Sequence, residues 1–270
     1  MRQFNIKRFW NTFRWYFCEN RGRLLTYTGV TTILAVVLES TFSFMGNKGM
    51  MPTPAYIIMT KSGFAMSMLC AIIGCYLSFC GIFSTLKTKQ KRIAYLTLPA
   101  TNLERYLTAF IMAVIIIPIC IFIGLAIGDT IHMLIFAILG NEWFSCIKSL
   151  FDSIMEDLTK TESLREWMSR CVGLWACSFY VLGGTWFRRR SFLIVTTSLI
   201  LLFIVGIYVL KTIFGENGQF KIDLDSFMQN ADNFRIAAIF VLTALSLFNF
   251  WLSYKIFNRF QIITSKWTNV

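Results

Sequence analysis

The sequence predicts an all-α fold: a polytopic membrane helix bundle with six transmembrane helices, both termini cytoplasmic, and an interfacial amphipathic helix ahead of the first crossing. Three observations predict it. Hydrophobic residues make up 56% of the 270 residues and charged residues only 15%, against roughly 45–50% and about 25% in an ordinary soluble domain. Six windows approach the ~20 apolar residues that cross a ~30 Å hydrocarbon core. Within them the apolar residues run continuously instead of alternating with period 2, which disfavours a barrel and leaves helices to satisfy the backbone inside lipid. The same arithmetic excludes soluble, disordered, collagenous and small disulfide-stapled proteins.

The windows are residues 24–45, 62–86, 106–128, 167–187, 191–214 and 235–257. The fourth carries Arg170 one turn in and is expected to span by letting that guanidinium snorkel to the interface. Lys and Arg orient the bundle. Seventeen fall in residues 1–23, the second-to-third loop, the fourth-to-fifth loop and the C-terminal end from Lys255, and seven on the opposite face, so both termini are expected inside. The net charge of +12 then belongs to a cytoplasmic rim facing anionic membrane lipids, and no nucleic acid is expected as a partner. Residues 1–23 do not read as a cleavable signal, because the following apolar run is span-length and lacks a small-x-small cleavage site. The expected organisation is an interfacial helix over 1–23, a transmembrane domain over 24–257 and a tail over 258–270.

Between residues 4 and 17, Ile6, Phe9, Trp10, Phe13 and Phe17 share one helical stripe, with Lys7, Arg8 and Arg14 at polar positions. This predicts a helix lying in the cytoplasmic interface, with Arg8, Trp10, Phe13 and Trp15 at the membrane surface, before the chain turns at Arg21-Gly22-Arg23. The loop 85–105 reads TLKTKQKRIAYLTLPATNLER. Its first half is basic, its middle carries Ile93, Tyr95, Leu96 and Leu98, and Thr101 and Glu104 stand at capping-box spacing after a turn at Pro99. Such a loop suits docking of a soluble partner; a plain positive-inside retention loop is the competing reading. On the outer side, Trp143, Ile147, Leu150, Phe151, Ile154 and Leu158 recur at helical steps within an insertion over 140–166, with Asp152, Glu156, Asp157, Glu162 and Glu166 opposite. That predicts an acidic amphipathic helix. Residues 215–233 read as a connecting loop.

No GxxxxGK[ST], HExxH or GxSxG occurs, so no enzyme activity, cofactor or metal is expected in this chain. Of eight cysteines, only Cys146 and Cys171 fall where an outer-side disulfide could form. His132 follows Asp129 by three residues and shares its helix face. Glu39 is the acid inside a predicted span, which makes it a functional candidate by default. Glu39, Asp129 and His132 are therefore the candidate intramembrane polar residues, with a structural or interfacial role as the plainer reading. Pro118 and the pairs Gly124/Gly128 and Gly183/Gly184 read as bending and packing features.

With those features in view, the chain resembles the membrane subunit of an ABC-2-type transporter, a permease of the Bacteroidota-like kind with an LPA…LE(K/R) cytoplasmic loop. The general likeness is architectural and covers most of the length; the specific one lies in residues 87–107, around Leu98-Pro99-Ala100-Thr101-Asn102-Leu103-Glu104-Arg105. The resemblance implies a coupling helix in this loop, with Arg92, Tyr95, Leu98, Pro99, Asn102 and Glu104 as partner-docking residues. It also implies a separate cytoplasmic ABC ATPase that carries the ATP and Mg, a second permease subunit in a homodimer or heterodimer, and a bacterial inner membrane. The sequence departs from that family in having a polar stretch between spans five and six and its large outer insertion between spans three and four. A different reading of the residues is a non-transporting scaffold or sensor that binds an envelope partner through 141–166.

Overall fold

A computed structural model describes residues 4–46, 53–83, 89–139, 145–159, 164–187, 190–214 and 224–259. All elements among them are helical: α1 (Ile6–Gly46), α2 (Thr53–Cys80), α3 (Lys89–Leu96), α4 (Asn102–Ile111), a π-helical turn (Met112–Ile116), α5 (Ile117–Ile138), α6 (Cys146–Thr159), α7 (Leu164–Trp186), α8 (Ser191–Phe214) and α9 (Leu224–Asn258). Two compact units are formed, one from Met1–Thr85 and Thr97–Thr161, the other from Leu86–Leu96 and Glu162–Val270. Five helical stretches are long and apolar enough to cross a membrane: Ile6–Met45, Ile58–Cys80, Asn102–Ile138, Ser191–Tyr208 and Arg235–Asn258. The chain is a multi-pass membrane protein on that basis.

Two expectations change, and the fourth crossing is not among the spans that length and apolarity identify. The chain does not turn at Arg21-Gly22-Arg23: α1 is one helix of 41 residues, about 60 Å long at 1.5 Å per residue. A single glycine costs a helix only about 1 kcal/mol, too little to break one that is packed on both sides of it. α7 is not among the five stretches; Glu166 and Arg170 lie near its start, and the remaining 171–186 measure only about 24 Å. The Arg170 guanidinium lies over the Trp167 ring at 5.4 Å. Finally, the stretch read as a connecting loop is helical from Leu224 onward, so α9 begins well before Arg235; residues 215–223 and the tail 260–270 lie outside the described residues.

The first unit is a three-rod bundle of α1, α2 and the continuous α4–π–α5 rod. Along α1 the buried face is more polar than the exposed one. The buried residues of α1 are Thr12, Tyr16, Asn20, Leu24, Thr31, Ala35, Glu39 and Ser43, while Ile6, Trp10, Phe17, Leu25, Ile33 and Val37 are exposed. Small and polar side chains thus form the seam at helical spacing, and large apolar ones face outward, as lipid requires. The seam is close because glycines permit it. A Cβ on Gly124 would collide with the Thr31 hydroxyl, and one on Gly128 with the Ala35 methyl. Thr32 Oγ1 then donates to Gly124 O at 3.0 Å. On α2, a Cβ at Gly63 would stand 3.1 Å from Glu39 Cα and 3.0 Å from Phe42 Cβ.

The π-turn has a local cause. Ile117 N donates to Met112 O, and the next such bond, to Ala113 O, would need an N–H that Pro118 lacks. Ser78 Oγ on α2 donates to Ala113 O instead, at 2.9 Å. In the second unit α7 packs on α8 and α9. Gly183 meets Val195, Tyr180 Oη pairs with Thr196 Oγ1 at 3.1 Å, and Asn249 Nδ2 donates to Ser178 Oγ at 3.0 Å.

Two substitutions check this account by unfolding of the purified chain in mild detergent. Gly128→Leu should lower stability by about 1–3 kcal/mol through overpacking against α1. Nothing lies within 4 Å of a Cβ at Gly22, so Gly22→Ala should raise stability by up to about 1 kcal/mol; a turn at Gly22 would reverse that sign.

Candidate functional site

Two polar clusters lie toward opposite ends of the first unit. The first joins the start of α1 to the start of α4. Thr101 caps α4, and the capping box expected from sequence is complete: Glu104 N donates to Thr101 Oγ1 at 3.3 Å and Thr101 N to Glu104 Oε2 at 2.8 Å. The Glu104 carboxylate then takes three further donors from α1 and its lead-in: Asn5 N at 2.9 Å, Arg8 Nε at 2.8 Å and Arg8 Nη2 at 2.7 Å. The bidentate fork holds the guanidinium in one geometry. Tyr16 Oη donates to Ile82 O at 3.1 Å, tying the end of α2 to the same region.

The loop residues expected to dock a partner separate into two groups here. Pro99 and Asn102 are exposed and Leu98 is half-buried, whereas Tyr95 and Glu104 are buried; the Arg92 side chain lies outside the described ones, as do residues 84–88. Arg105 Nη2 donates to Leu98 O, bracing the turn. Glu104 is an internal clamp, while Pro99 and Asn102 stand at the surface of the elbow. Among the interfacial candidates, Arg8 serves that clamp, Trp10 is 62% exposed, and Phe13 and Trp15 are half-buried. Phe4, Phe9, Phe13 and Phe17 form a ladder of neighbouring rings, with Trp10 stacked on Phe13 at 5.7 Å.

The second cluster brings Glu39 of α1 together with Asp129 and His132 of α5. All three are buried, at 0%, 1% and 0% exposure, and one ligand-capable atom from each lies within 4.8 Å of the others. His132 Nε2 pairs with Ser43 Oγ at 3.0 Å, and Ser43 Oγ with Thr60 Oγ1 at 3.1 Å. Ser67 Oγ donates to Glu39 Oε1 at 3.3 Å. Asp129 closes the start of α6: its carboxylate accepts from Ser145 Oγ at 2.9 Å, Cys146 N at 3.2 Å and Ile147 N at 3.3 Å. A carboxylate against the first amides of a helix also meets the positive end of its dipole. Phe136 packs on the imidazole at 4.8 Å between ring centroids.

Protein-family models, curated proteins and solved structures were compared with the chain, and none matches. The functional argument therefore rests on the two clusters themselves.

Sequence spacing finds the Asp129/His132 pair and flags Glu39 singly. It misses Ser43, Thr60 and Ser67, which arrive from α1 and α2 and have no pattern of their own. Cys146 is buried beside Asp129, and Cys171 Sγ lies 3.7 Å from Thr243 Oγ1. Of the predicted outer helix, α6 exists, with Ile147 and Leu150 half-buried and Phe151 and Asp152 exposed; Glu166 falls in α7 instead. Glu142, Trp143 and Glu162 lie outside the described residues, as do the side chains of Ile154, Glu156, Asp157 and Leu158.

Burial, aided by the charges of Asp129 and Glu39, pushes the Cys146 thiol up to about 12. At pH 8 Cys146 therefore stays a thiol, the unreactive form. Mass-spectrometric mapping of maleimide adducts on the folded chain at pH 8 should find the exposed Cys18 labelled and Cys146 unlabelled, with labelling of Cys146 appearing on unfolding.

Proposed function

We propose that the chain is a permease-like subunit of an ATP-driven, ABC-2-like transporter in a bacterial inner membrane, coupled through its 97–105 elbow to a separate cytoplasmic ATPase. The observation that carries this reading is the Glu104 clamp. It joins the elbow to Arg8 and Asn5, so a force on the Leu98-Pro99-Asn102 edge passes into α1 and the α4–π–α5 rod together. Both rods, about 60 Å and 55 Å long at 1.5 Å per residue, exceed a ~30 Å hydrocarbon core, and their projecting ends carry this clamp. Those rods also carry Glu39, Asp129 and His132, which places a buried polar cluster at the far end of the same lever. In this reading the bundle has six crossings with both termini cytoplasmic, α7 completing the count, and a second permease subunit completes the pathway. ATP and Mg act on the partner, and the unburied aromatic ladder of α1 rests on membrane lipid.

A second reading has support from α6, where Phe151 and Met155 are 49% and 60% exposed beside Asp152. A scaffold or sensor would bind an envelope partner through that face, with no dependence on nucleotide.

One experiment separates them. The tagged chain is purified in mild detergent with and without ATP, and its companions are identified by mass spectrometry. The permease reading predicts an ABC ATPase, lost from the Leu98→Asp/Asn102→Arg variant while membrane insertion is unchanged. An ATPase retained by that variant removes the elbow as the docking site, and a nucleotide-independent envelope protein lost on Phe151→Asp supports the scaffold.

A further inference from the structure

The geometry points to Glu39, Asp129 and His132 as the binding site for one divalent transition-metal ion of the zinc class, enclosed between α1, α2 and α5. Two atoms of the cluster carry the argument. Glu39 Oε2 and His132 Nδ1 are buried and have no hydrogen-bond partner, yet they face one another at 3.8 Å. That separation is too long for a hydrogen bond. Two atoms bound 2.0–2.2 Å from one tetrahedral ion stand about 3.3–3.6 Å apart, so an ion between them draws the pair together by a few tenths of an ångström. An orphaned carboxylate oxygen and an orphaned imidazole nitrogen are each costly in a closed apolar site, and one cation between them satisfies both.

The surroundings match what a metal needs of its outer shell. Ligation through Nδ1 leaves the proton of His132 on Nε2, where Ser43 Oγ stands at 3.0 Å to accept it, with Thr60 Oγ1 next in the chain at 3.1 Å. Metal-bound histidines ordinarily donate their second ring N–H in this way. Ser67 fixes the other oxygen of Glu39, and the α6 amides fix Asp129. Each prospective ligand is thus oriented by a different neighbour. Two carboxylates balance a dication. An imidazole in the set disfavours Mg and Ca, which prefer all-oxygen ligands, and the absence of a thiolate disfavours Cu(I). Three protein ligands leave a fourth coordination position open.

This inference stands apart from the permease reading, since metal loading is read on the purified chain alone. The chain in mild detergent is stripped with chelator, incubated with zinc chloride, desalted and assayed for metal by mass spectrometry, alongside its thermal unfolding. The expected result is one zinc per chain and a raised Tm, with zinc affinity reduced at least tenfold in both His132→Gln and Glu39→Gln. A Cys18→Ser control, far along α1, should bind as the parent does. Should either variant fail to fold, cobalt substitution of the unaltered chain supplies the readout: visible d–d absorption with no thiolate charge-transfer band supports the site. Zinc retained equally by parent and variants, as at surface groups, overturns the proposal. So does a parent chain that holds no zinc and merely changes stability with pH, as a proton shared between Glu39 and His132 would produce.

Discussion

A hydroxyl or carboxylate inside hydrocarbon has no solvent to turn to, and the first unit is organised around that constraint. Every buried polar side chain along α1 must find its partner on α1, α2 or the α4–π–α5 rod. Thr28 and Thr31 donate back to carbonyls of their own helix, Thr32 reaches Gly124 O, and Tyr16 reaches Ile82 O. The glycines at 63, 124 and 128 follow from the same demand, because short polar side chains meet only when the backbones come close. Packing density in lipid rests on such small residues, since burying more apolar surface gains little there.

Two buried glutamates of this bundle, Glu104 and Glu39, are treated in opposite ways. Glu104 is saturated: two backbone amides and a guanidinium fork converge on it, and its role is to hold two helices in one geometry. Glu39 is equally buried but receives only the distant Ser67 hydroxyl, with its second oxygen directed at an imidazole nitrogen in the same condition. A fully satisfied carboxylate reads as structure, and a half-satisfied one beside a half-satisfied histidine reads as a place where something else binds. That contrast within a single unit is what separates the clamp from the site.

Local chemistry made much of this legible. The Thr101/Glu104 box depends on four consecutive residues and folds as its spacing dictates. The helix at α6 follows from the three- and four-residue spacing of its apolar side chains. Legibility fails where a boundary depends on packing. Gly22 was a reasonable place to expect a turn, but Tyr16, Asn20 and Leu24 are all buried along one line across it, so the helix continues. The early start of α9 escaped for a related reason, since Asn and Asp favour loops yet are tolerated in a helix at modest cost.

Composition and run length by themselves determined that the chain is helical and membrane-embedded, because those properties depend only on how many apolar residues stand in a row. Spacing added the cap and the amphipathic faces, which are set within a turn or two of helix. Only the tertiary structure decided that Glu104 faces Arg8, 96 positions away, and that Ser43 and Glu39 face His132, 89 positions from Ser43. Those meetings are fixed by the register in which three long rods pack. That register is set by a few glycine contacts, whose meaning exists only once the opposing helix is in place.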